Sequence, residues 1–353
     1  MLLEIGSDPR NTKAFIPFQE KELSNNHILL NGISGSGKTY LLQKMIIQAA
    51  KQGMSTVVLD YSGSYSFDKL EAFFMEQLQE QMVMVPVYTK GLPINPFYRQ
   101  SIQIGGQWVP EKIGDTADRV SEIFSKAYRF GSRQRNIFYS VLVDQLEYSQ
   151  LLTFERIIER LKEIYPKDSE ALQGKLLPLA HKKIFCPEPS FCWDSYLYNS
   201  GQVTVLELEG FASSIQNIAS EIILWDLLFY ARRNGNKQRP FIILLDECQH
   251  LSFKDSSPTY SILTEGRKFG IGAWLATQSL ARFSVEEKAC LDQAACKIYF
   301  KLSTTEIKSL SAQLSQPEWT KKLEKLKVGQ CVVSGYFPIR GKLKHGNVLV
   351  NVL

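Results

Sequence analysis

The sequence predicts an α/β fold in which helices cover both faces of a mostly parallel β-sheet. Short runs of Val, Ile and Leu bounded by turn residues are typical of strands buried on both faces. Longer helical patterns separate them, as parallel strands require. The runs that support the sheet are His27–Leu30, Thr56–Leu59, Met82–Val87, Val203–Leu208, Phe241–Leu245, Gly272–Ala276 and Lys297–Leu302. Two runs near the end of the chain, Gln330–Val333 and Asn347–Val352, are expected to form edge strands.

A helical insertion interrupts this sheet along the sequence. Apolar residues recur at three- and four-residue spacing in the segments Asp115–Tyr128, Arg135–Tyr148 and Thr153–Ile164. We therefore divide the chain into residues 1–97, which begin the core, an insertion over residues 98–200, and residues 201–353, which complete the core.

Composition narrows the class of protein. The chain has 353 residues, 44% of them hydrophobic, and a net charge of +5 that is spread along its length. This mild positive charge permits a nucleic-acid partner without arguing strongly for one. The six cysteines form no Cys-x-x-Cys pair, which favours reduced residues over a zinc site or disulfide framework. The N-terminus lacks a signal-peptide pattern, and no apolar run approaches the ~20 residues needed to cross a bilayer. We expect a cytoplasmic protein without direct membrane insertion.

A phosphate-binding loop (P-loop) is the strongest motif. Residues 32–39 fit the template Gly-x-x-x-x-Gly-Lys-Ser/Thr in full, between a strand and the helix Tyr40–Gln52. Glycines let backbone N–H groups approach the phosphates, and the helix N-terminus favours negative charge. Lys38 is expected to bridge the β- and γ-phosphates, and Thr39 to bind Mg²⁺. The predicted nucleotide-binding residues are Gly32, Ile33, Ser34, Gly35, Ser36, Gly37, Lys38, Thr39 and Tyr40.

An acidic pair follows the apolar run Phe241–Leu245. A buried strand that ends in carboxylates delivers them to the edge of the sheet where the phosphates bind. We expect Asp246 to hold Mg²⁺ through a water and Glu247 to act as general base on the attacking water. The second carboxylate favours a motor ATPase, and therefore ATP, over a switch GTPase. The alternative is a strand end with ordinary solvated acids.

Two further candidates flank the run Gly272–Ala276. After it, Gln278 is predicted to sense the γ-phosphate or the attacking water, although Thr277-Gln278 could simply cap a strand. Before it, Arg267 is predicted to neutralise charge on the transferred phosphoryl group, in its own subunit or a neighbour. A solvated basic turn is the alternative there, and Lys268 could take the same role.

Two basic segments are candidates for DNA contact. Ala231–Arg239 carries four basic residues, which a helix C-terminus also favours without any ligand. Tyr128–Arg135 interleaves aromatic residues with arginines, as a phosphate-backbone contact does, but equally as an amphipathic turn between helices does. These alternatives stay open.

Five stretches together resemble the HerA/FtsK superfamily of hexameric DNA-pumping ATPases, in particular the HerA branch and its conjugation relatives. They are NHILLNGISGSGKTYLLQ, VVLDYSGSYS, LPINPF, VTVLELEGF, and LLDECQHL followed by EGRKFGIGAWLATQSL. The resemblance implies a RecA-like core, a homo-hexameric ring with ATP sites between subunits, and double-stranded DNA in the pore. It also implies catalytic roles for Asp246 and Glu247, a sensor at Gln278 and an interface arginine at Arg267.

The sequence departs from this family in two places. Only about thirty residues precede the P-loop, so we expect the small N-terminal β-barrel of HerA to be missing. Ser64 stands where the family usually has Glu, whereas Asp60, Gly63 and Tyr65 remain, and we expect altered tuning more than lost hydrolysis.

Three functions are compatible with these motifs. The first is an ATP-driven translocase of double-stranded DNA that works with a nuclease or effector subunit. The second is an ATPase that energises conjugation or protein secretion at a membrane complex. The third is a scaffold whose nucleotide state gates an effector, as in defence systems.

Overall fold

The computed structural model describes residues 1–20, 22–149, 151–186, 188, 191–311, 317–339 and 342–352. The chain divides into two compact units. The core unit comprises residues 1–84, 194–207 and 234–353, and the helical unit comprises residues 85–193 and 208–233. The domain boundaries drawn from the sequence, at residues 97/98 and 200/201, stay a prediction.

The described residues form thirteen β-strands. They are β1 (Leu2–Ser7), β2 (Lys13–Pro17), β3 (Ile28–Asn31), β4 (Thr56–Asp60), β5 (Met82–Pro86), β6 (Ser101–Ile104), β7 (Gln107–Pro110), β8 (Val203–Glu207), β9 (Phe241–Leu245), β10 (Ile271–Thr277), β11 (Cys296–Tyr299), β12 (Gln330–Ile339) and β13 (Lys342–Asn351). All except the hairpin β6–β7 belong to one sheet, in the order β2-β1-β13-β12-β11-β3-β10-β9-β4-β8-β5.

The centre of this sheet is parallel, as the sequence predicted. Strand β3 lies between β10 and β11, β10 pairs with β9, and β4 pairs with β9 and β8, all in parallel. These strands are short and almost entirely buried, which explains their continuous apolar sequences. Because they are parallel, their carboxyl ends share one edge of the sheet.

The position expected for the two tail strands was wrong. Strands β12 and β13 lie inside the sheet, between β11 and β1. The reason is the antiparallel hairpin β1–β2, which extends the sheet beyond them and pairs Ser7 with Asn351. This hairpin was not predicted, since its strands are short and mix polar with apolar residues.

Thirteen α-helices are described. They are α1 (Lys38–Lys51), α2 (Ala72–Leu78), α3 (Val87–Lys90), α4 (Ile113–Tyr128), α5 (Ser132–Tyr148), α6 (Phe154–Ile164), α7 (Glu170–Lys182), α8 (Trp193–Leu197), α9 (Ser213–Asn234), α10 (Pro258–Glu265), α11 (Val285–Leu291), α12 (Thr304–Ser311) and α13 (Pro317–Glu324). Within the described ranges, none of the helices is both long and apolar enough to span a membrane.

Helix α1 fixes the P-loop against the sheet. Its apolar side, including Leu42 and Met45, is fully buried in a cluster with Leu30, Val58 and Trp274 of the central strands. Each such aliphatic side chain contributes about 1.5–3 kcal/mol by leaving water. The loop that precedes α1 is therefore held at the carboxyl end of β3.

The helical unit contains α4, α5 and α6 where the sequence predicted helices, with starts that differ by at most three residues. The Phe124 ring lies at the centre of their packing, 5.3 Å from Phe138 and 5.7 Å from Phe154 between ring centroids. A buried carboxylate and a partly buried one also tie this unit together. Glu111 forms an ion pair with Arg119, and Asp226 accepts hydrogen bonds from Gln100 and Trp193.

Candidate nucleotide-binding site

The P-loop begins directly at the carboxyl end of β3 and is hydrogen-bonded to β10 and to the segment that follows β11. The backbone N–H of Gly32 donates to the Thr277 carbonyl of β10 (3.2 Å), and that of Ile33 donates to the Lys301 carbonyl (2.9 Å). A Cβ atom on Gly32 would lie 2.6 Å from the Cβ atom of Phe300, and Gly37 has a φ of 110°. Both positions therefore require glycine, and the loop curls into an anion cradle at the N-terminus of α1.

Lys38 and Thr39 open the helix that follows. Lys38 is 7% exposed, and its ammonium donates to the loop carbonyls of Gly32 (2.7 Å) and Ile33 (3.1 Å). Burial lowers the pKa of Lys38, while Asp246 and Glu247 oppose that shift. The Thr39 hydroxyl donates to Asp246 Oδ2 over 3.4 Å. A hydroxyl beside a carboxylate is the oxygen pair that a hard cation such as Mg²⁺ prefers.

The acidic residues converge at the ends of two adjacent strands. Asp246 and Glu247 follow β9, and Asp60 ends β4, its neighbour in the sheet. Asp246 is 7% exposed, and its pKa is raised to about 6 by burial, then by the negative charges of Glu247 and Asp60, with Lys38 opposing. Its neighbour Glu247 is only partly buried.

Two glutamine amides hold the Glu247 carboxylate. Gln278 Nε2 donates to Glu247 Oε1 (2.6 Å), and Gln249 Nε2 donates to Glu247 Oε2. Glu247 itself has a left-handed φ of 60°, a strained conformation that is often found at functional sites. Sequence reasoning singled out Gln278 and missed Gln249. The only signal for Gln249 was its place two residues after the proposed general base.

Asp60 organises the loop in which Ser64 replaces the expected Glu. Its carboxylate accepts hydrogen bonds from the backbone N–H groups of Ser62 (3.2 Å), Ser64 (3.0 Å) and Tyr65 (2.8 Å). The Ser62 and Ser64 hydroxyl oxygens lie 2.7 Å apart. At this position the cleft is therefore lined by two hydroxyls instead of a carboxylate.

These residues surround one open cleft of about 430 Å³. Its lining residues are Ser34, Gly35, Gly37, Lys38, Thr39, Tyr40, Ser62, Ser64, Asp246 and Glu247. Tyr40 contacts the Phe73 ring edge-on, with centroids 5.1 Å apart. The cleft thus brings together the P-loop, the Thr39 hydroxyl and the carboxylates of Asp246 and Glu247.

Arg267 and Lys268 lie away from this cleft. They form a 3₁₀ turn, Gly266–Phe269, that enters β10 at its amino end. Arg267 Nη1 donates to the carbonyl of Ser24, in the segment that enters β3. The seven residues of β10 separate this turn from Gln278 by about 20 Å at ~3.3 Å per residue.

The two basic segments carry contacts within the protein. In Tyr128–Arg135, Arg133 pairs with Asp168, and Arg135 pairs with Asp118 and Glu122. In Ala231–Arg239, the Arg239 guanidinium lies 3.8 Å from the centroid of the Tyr198 ring. The ion pairs favour the structural interpretation of Tyr128–Arg135, because they partly neutralise its arginines. The ring contact of Arg239 leaves its charge in place, and the two interpretations of Ala231–Arg239 stay open.

The fold and the site together define a P-loop NTPase. Strand β9, which precedes the acidic pair, is separated from the P-loop strand β3 by β10, whose last residue Thr277 is followed by Gln278. Residues 3–227 match the family described as "Helicase HerA, central domain". The chain belongs to this HerA family.

Solved structures agree on the fold. VirB4 of Thermoanaerobacter pseudethanolicus is similar over 98% of this chain and 96% of its own, with a TM-score of 0.74 and 13% identity. The bacterial conjugative coupling protein TrwB, lacking its N-terminal segment, is similar over 100% and 94% of the two chains (TM-score 0.62, 15% identity). TrwB in complex with ADP and Mg²⁺ covers 93% and 85% (TM-score 0.59, 15% identity). No curated protein sequence gives a significant match.

Proposed function

We propose that this chain binds ATP with Mg²⁺ and hydrolyses it. The observation that carries this proposal is the convergence of Lys38, Thr39, Asp246 and Glu247 on one cleft. The P-loop backbone and Lys38 bind the phosphates and balance their charge. Thr39 and Asp246 hold Mg²⁺, which supplies Lewis-acid stabilisation of the phosphoryl oxygens when bound. Glu247 accepts the proton of the attacking water.

A Glu247→Gln variant tests the hydrolytic role. Removing the proton acceptor while keeping the shape of the side chain should lower the steady-state rate of ATP hydrolysis by about 10²–10⁴-fold. Binding of Mg-ATP, measured by calorimetry, should persist because the P-loop is unchanged. Glu286→Gln, on the exposed side of α11, is the matched control and should hydrolyse ATP like the natural protein. Full turnover by Glu247→Gln would refute the assignment.

We further propose that the ATPase works as a ring-shaped motor on double-stranded DNA. Membership of the HerA family supports this, and so does the position of Arg267. About 20 Å of strand separates Arg267 from the cleft of its own chain, so its charge can serve catalysis only at the cleft of another subunit. Proteins that assemble head to tail in a closed ring place opposite edges of neighbouring subunits together.

Stimulation by DNA tests the motor proposal. Saturating duplex DNA should raise the ATPase rate several-fold at low salt, and the effect should weaken as salt increases, since phosphate contacts release counter-ions. A nuclease or effector subunit could use the movement. An unchanged rate, with no DNA binding in a filter or anisotropy assay, would leave the ATPase standing and remove DNA as its cargo.

The resemblance to conjugation ATPases supplies a second candidate function, because similarity to VirB4 covers almost the whole chain. In that case the chain would energise conjugation or secretion, and it should co-purify with a membrane assembly from cells.

A nucleotide-gated scaffold in a defence complex is the third alternative. For such a scaffold, Glu247→Gln would support full effector output without movement along DNA.

A further inference from the structure

Gln249 lies at the centre of a short chain of side-chain hydrogen bonds. It belongs to the 3₁₀ turn Cys248–His250, which begins directly after Glu247. Its Nε2 atom donates to Glu247 Oε2, and its Oε1 atom accepts from the Thr277 hydroxyl at 2.8 Å. The turn is anchored by the fully buried side chain of Cys248. Gln249 is therefore held on one side by β10 and bonds the carboxylate on the other.

The chemistry of these contacts suits an amide. One end of the side chain donates to a carboxylate while the other end accepts from a hydroxyl, and a carboxamide carries a donor and an acceptor on separate atoms. Asn is one methylene shorter and would not span the two groups. With Gln278 on Oε1 and Gln249 on Oε2, both oxygens of Glu247 are fixed, which sets the plane of the carboxylate.

The chain of bonds also reaches the P-loop. Thr277 is fully buried, and its backbone carbonyl accepts from the N–H of Gly32, the first residue of the P-loop. One residue at the tip of β10 thus contacts the phosphate-binding loop through its backbone and Gln249 through its side chain. A displacement of the P-loop would be transmitted to Glu247 along this route.

We propose that Gln249 is a positioning residue that, with Thr277, aligns the Glu247 carboxylate for proton abstraction and couples it to the P-loop. This inference rests on the proposed ATPase function and adds a residue to it. Gln249 does not touch the nucleotide in this assignment. Its loss should therefore affect the chemical step and leave substrate binding intact.

Steady-state kinetics of four variants test this role. Because a misplacement of about 1 Å can cost up to ~10²-fold, Gln249→Ala should lower kcat by about 10- to 100-fold with KM for ATP within about twofold. Gln249→Asn should behave like Gln249→Ala. Thr277→Val should lower kcat less, and Thr277→Ser, which retains the hydroxyl, should restore most of that loss. Gln107→Ala, at an exposed position of the hairpin β6–β7, is the matched control.

A double-mutant cycle then isolates the coupling. If Thr277 acts through Gln249, adding Thr277→Val to Gln249→Ala should cause no further loss of kcat. Two effects that multiply, or a Gln249→Ala enzyme within about twofold of natural kcat, would overturn the coupling while leaving the ATPase intact. If the natural protein does not hydrolyse ATP, or if Glu247→Gln is fully active, the proposed function itself fails, and this inference with it. Circular dichroism and melting curves show that each variant is folded.

Discussion

At the scale of single residues, negative charge dominates the cleft. Asp60, Asp246 and Glu247 lie at the ends of two adjacent strands, and Lys38 is the cation that acts on Asp246. Burial raises the pKa of Asp60, which the backbone N–H groups of residues 62–65 partly offset, and raises that of Asp246 to about 6. The protein alone therefore carries uncompensated charge at this site. A divalent cation is its natural counter-ion.

An Asp246→Asn variant should show the effect of this uncompensated negative charge on stability. The pKa of Asp246 lies above its ordinary value of 3.8, so the ionised carboxylate opposes folding at pH 7, and the penalty disappears as pH falls through about 6 toward 4. Asn should raise the free energy of unfolding at pH 7 by about 1–3 kcal/mol and should nearly abolish Mg-ATP hydrolysis.

Urea denaturation of the nucleotide-free protein measures the stability change. Asp255→Asn, on an exposed turn, is the matched control and should alter neither stability nor turnover. A lower stability of Asp246→Asn at pH 7 would contradict the charge argument.

Local spacing decides which site residues a sequence can reveal. The P-loop and the acidic pair are each a continuous stretch of sequence that directly follows a buried strand. The carboxyl ends of those parallel strands then bring the two motifs together. Gln249 is different, because its contact with Thr277 depends on the direction of a 3₁₀ turn, which no sequence period encodes. The remoteness of Arg267 could have been inferred, since it precedes its strand whereas the cleft lies where strands end.

At the scale of elements, His27 joins the amino ends of β3 and β10. It is 1% exposed, and its Nδ1 atom accepts from the backbone N–H of Ala273 at 3.0 Å. Burial lowers its pKa to about 4. Protonation would place a charge in the core and would also turn the acceptor into a donor that faces another N–H group. The pairing of the two strands therefore requires a neutral imidazole.

Acid should weaken this junction. Since the folded pKa of about 4 lies below the ordinary 6.5, the unfolded chain binds the extra proton first. Stability from this group is complete above pH 6.5 and is lost as pH falls toward 4, by up to about 1.4 kcal/mol per pH unit. His27→Asn keeps an acceptor near the Nδ1 position and should remove this contribution to the pH dependence of the free energy of unfolding. Chemical denaturation at several pH values measures it, with exposed His181→Asn as control. Identical slopes for His27→Asn and the natural protein would contradict this account.

The central strands could be predicted because burial on both faces leaves a continuous apolar run. Strands β1, β2, β6 and β7 could not, because their sequences alternate irregularly and their pairing partners are set by the sheet. The hairpin β1–β2 shows the consequence. Because β1 pairs with β13, strands β12 and β13 lie inside the sheet and not at the edge that the sequence predicted.

At the scale of the whole molecule, the residues of the proposed nucleotide cleft and Arg267 belong to the same core unit but lie at opposite ends of its parallel strands. A subunit built in this way presents the cleft at the carboxyl ends of its strands and the Arg267 guanidinium near their amino ends. If subunits form a ring, each cleft can be completed by the preceding or following chain. This arrangement predicts that two different inactive variants can rescue each other.

Mixing Arg267→Ala with Lys38→Ala subunits tests the prediction. Each variant alone should hydrolyse ATP at a small fraction of the natural rate, since an interface arginine contributes about 10³–10⁵-fold in well-studied phosphoryl-transfer enzymes. In a randomly mixed ring, about a quarter of the interfaces combine an intact P-loop with an intact arginine, so the ATPase rate should rise to a maximum near equal amounts. Lys268→Ala, one residue along the same turn, should remain active alone if Arg267 is the functional cation. An inactive Lys268→Ala would transfer the role to that lysine. The absence of recovery at any ratio, with mixed rings shown by co-purification of differently tagged variants, would show that catalysis does not cross the interface.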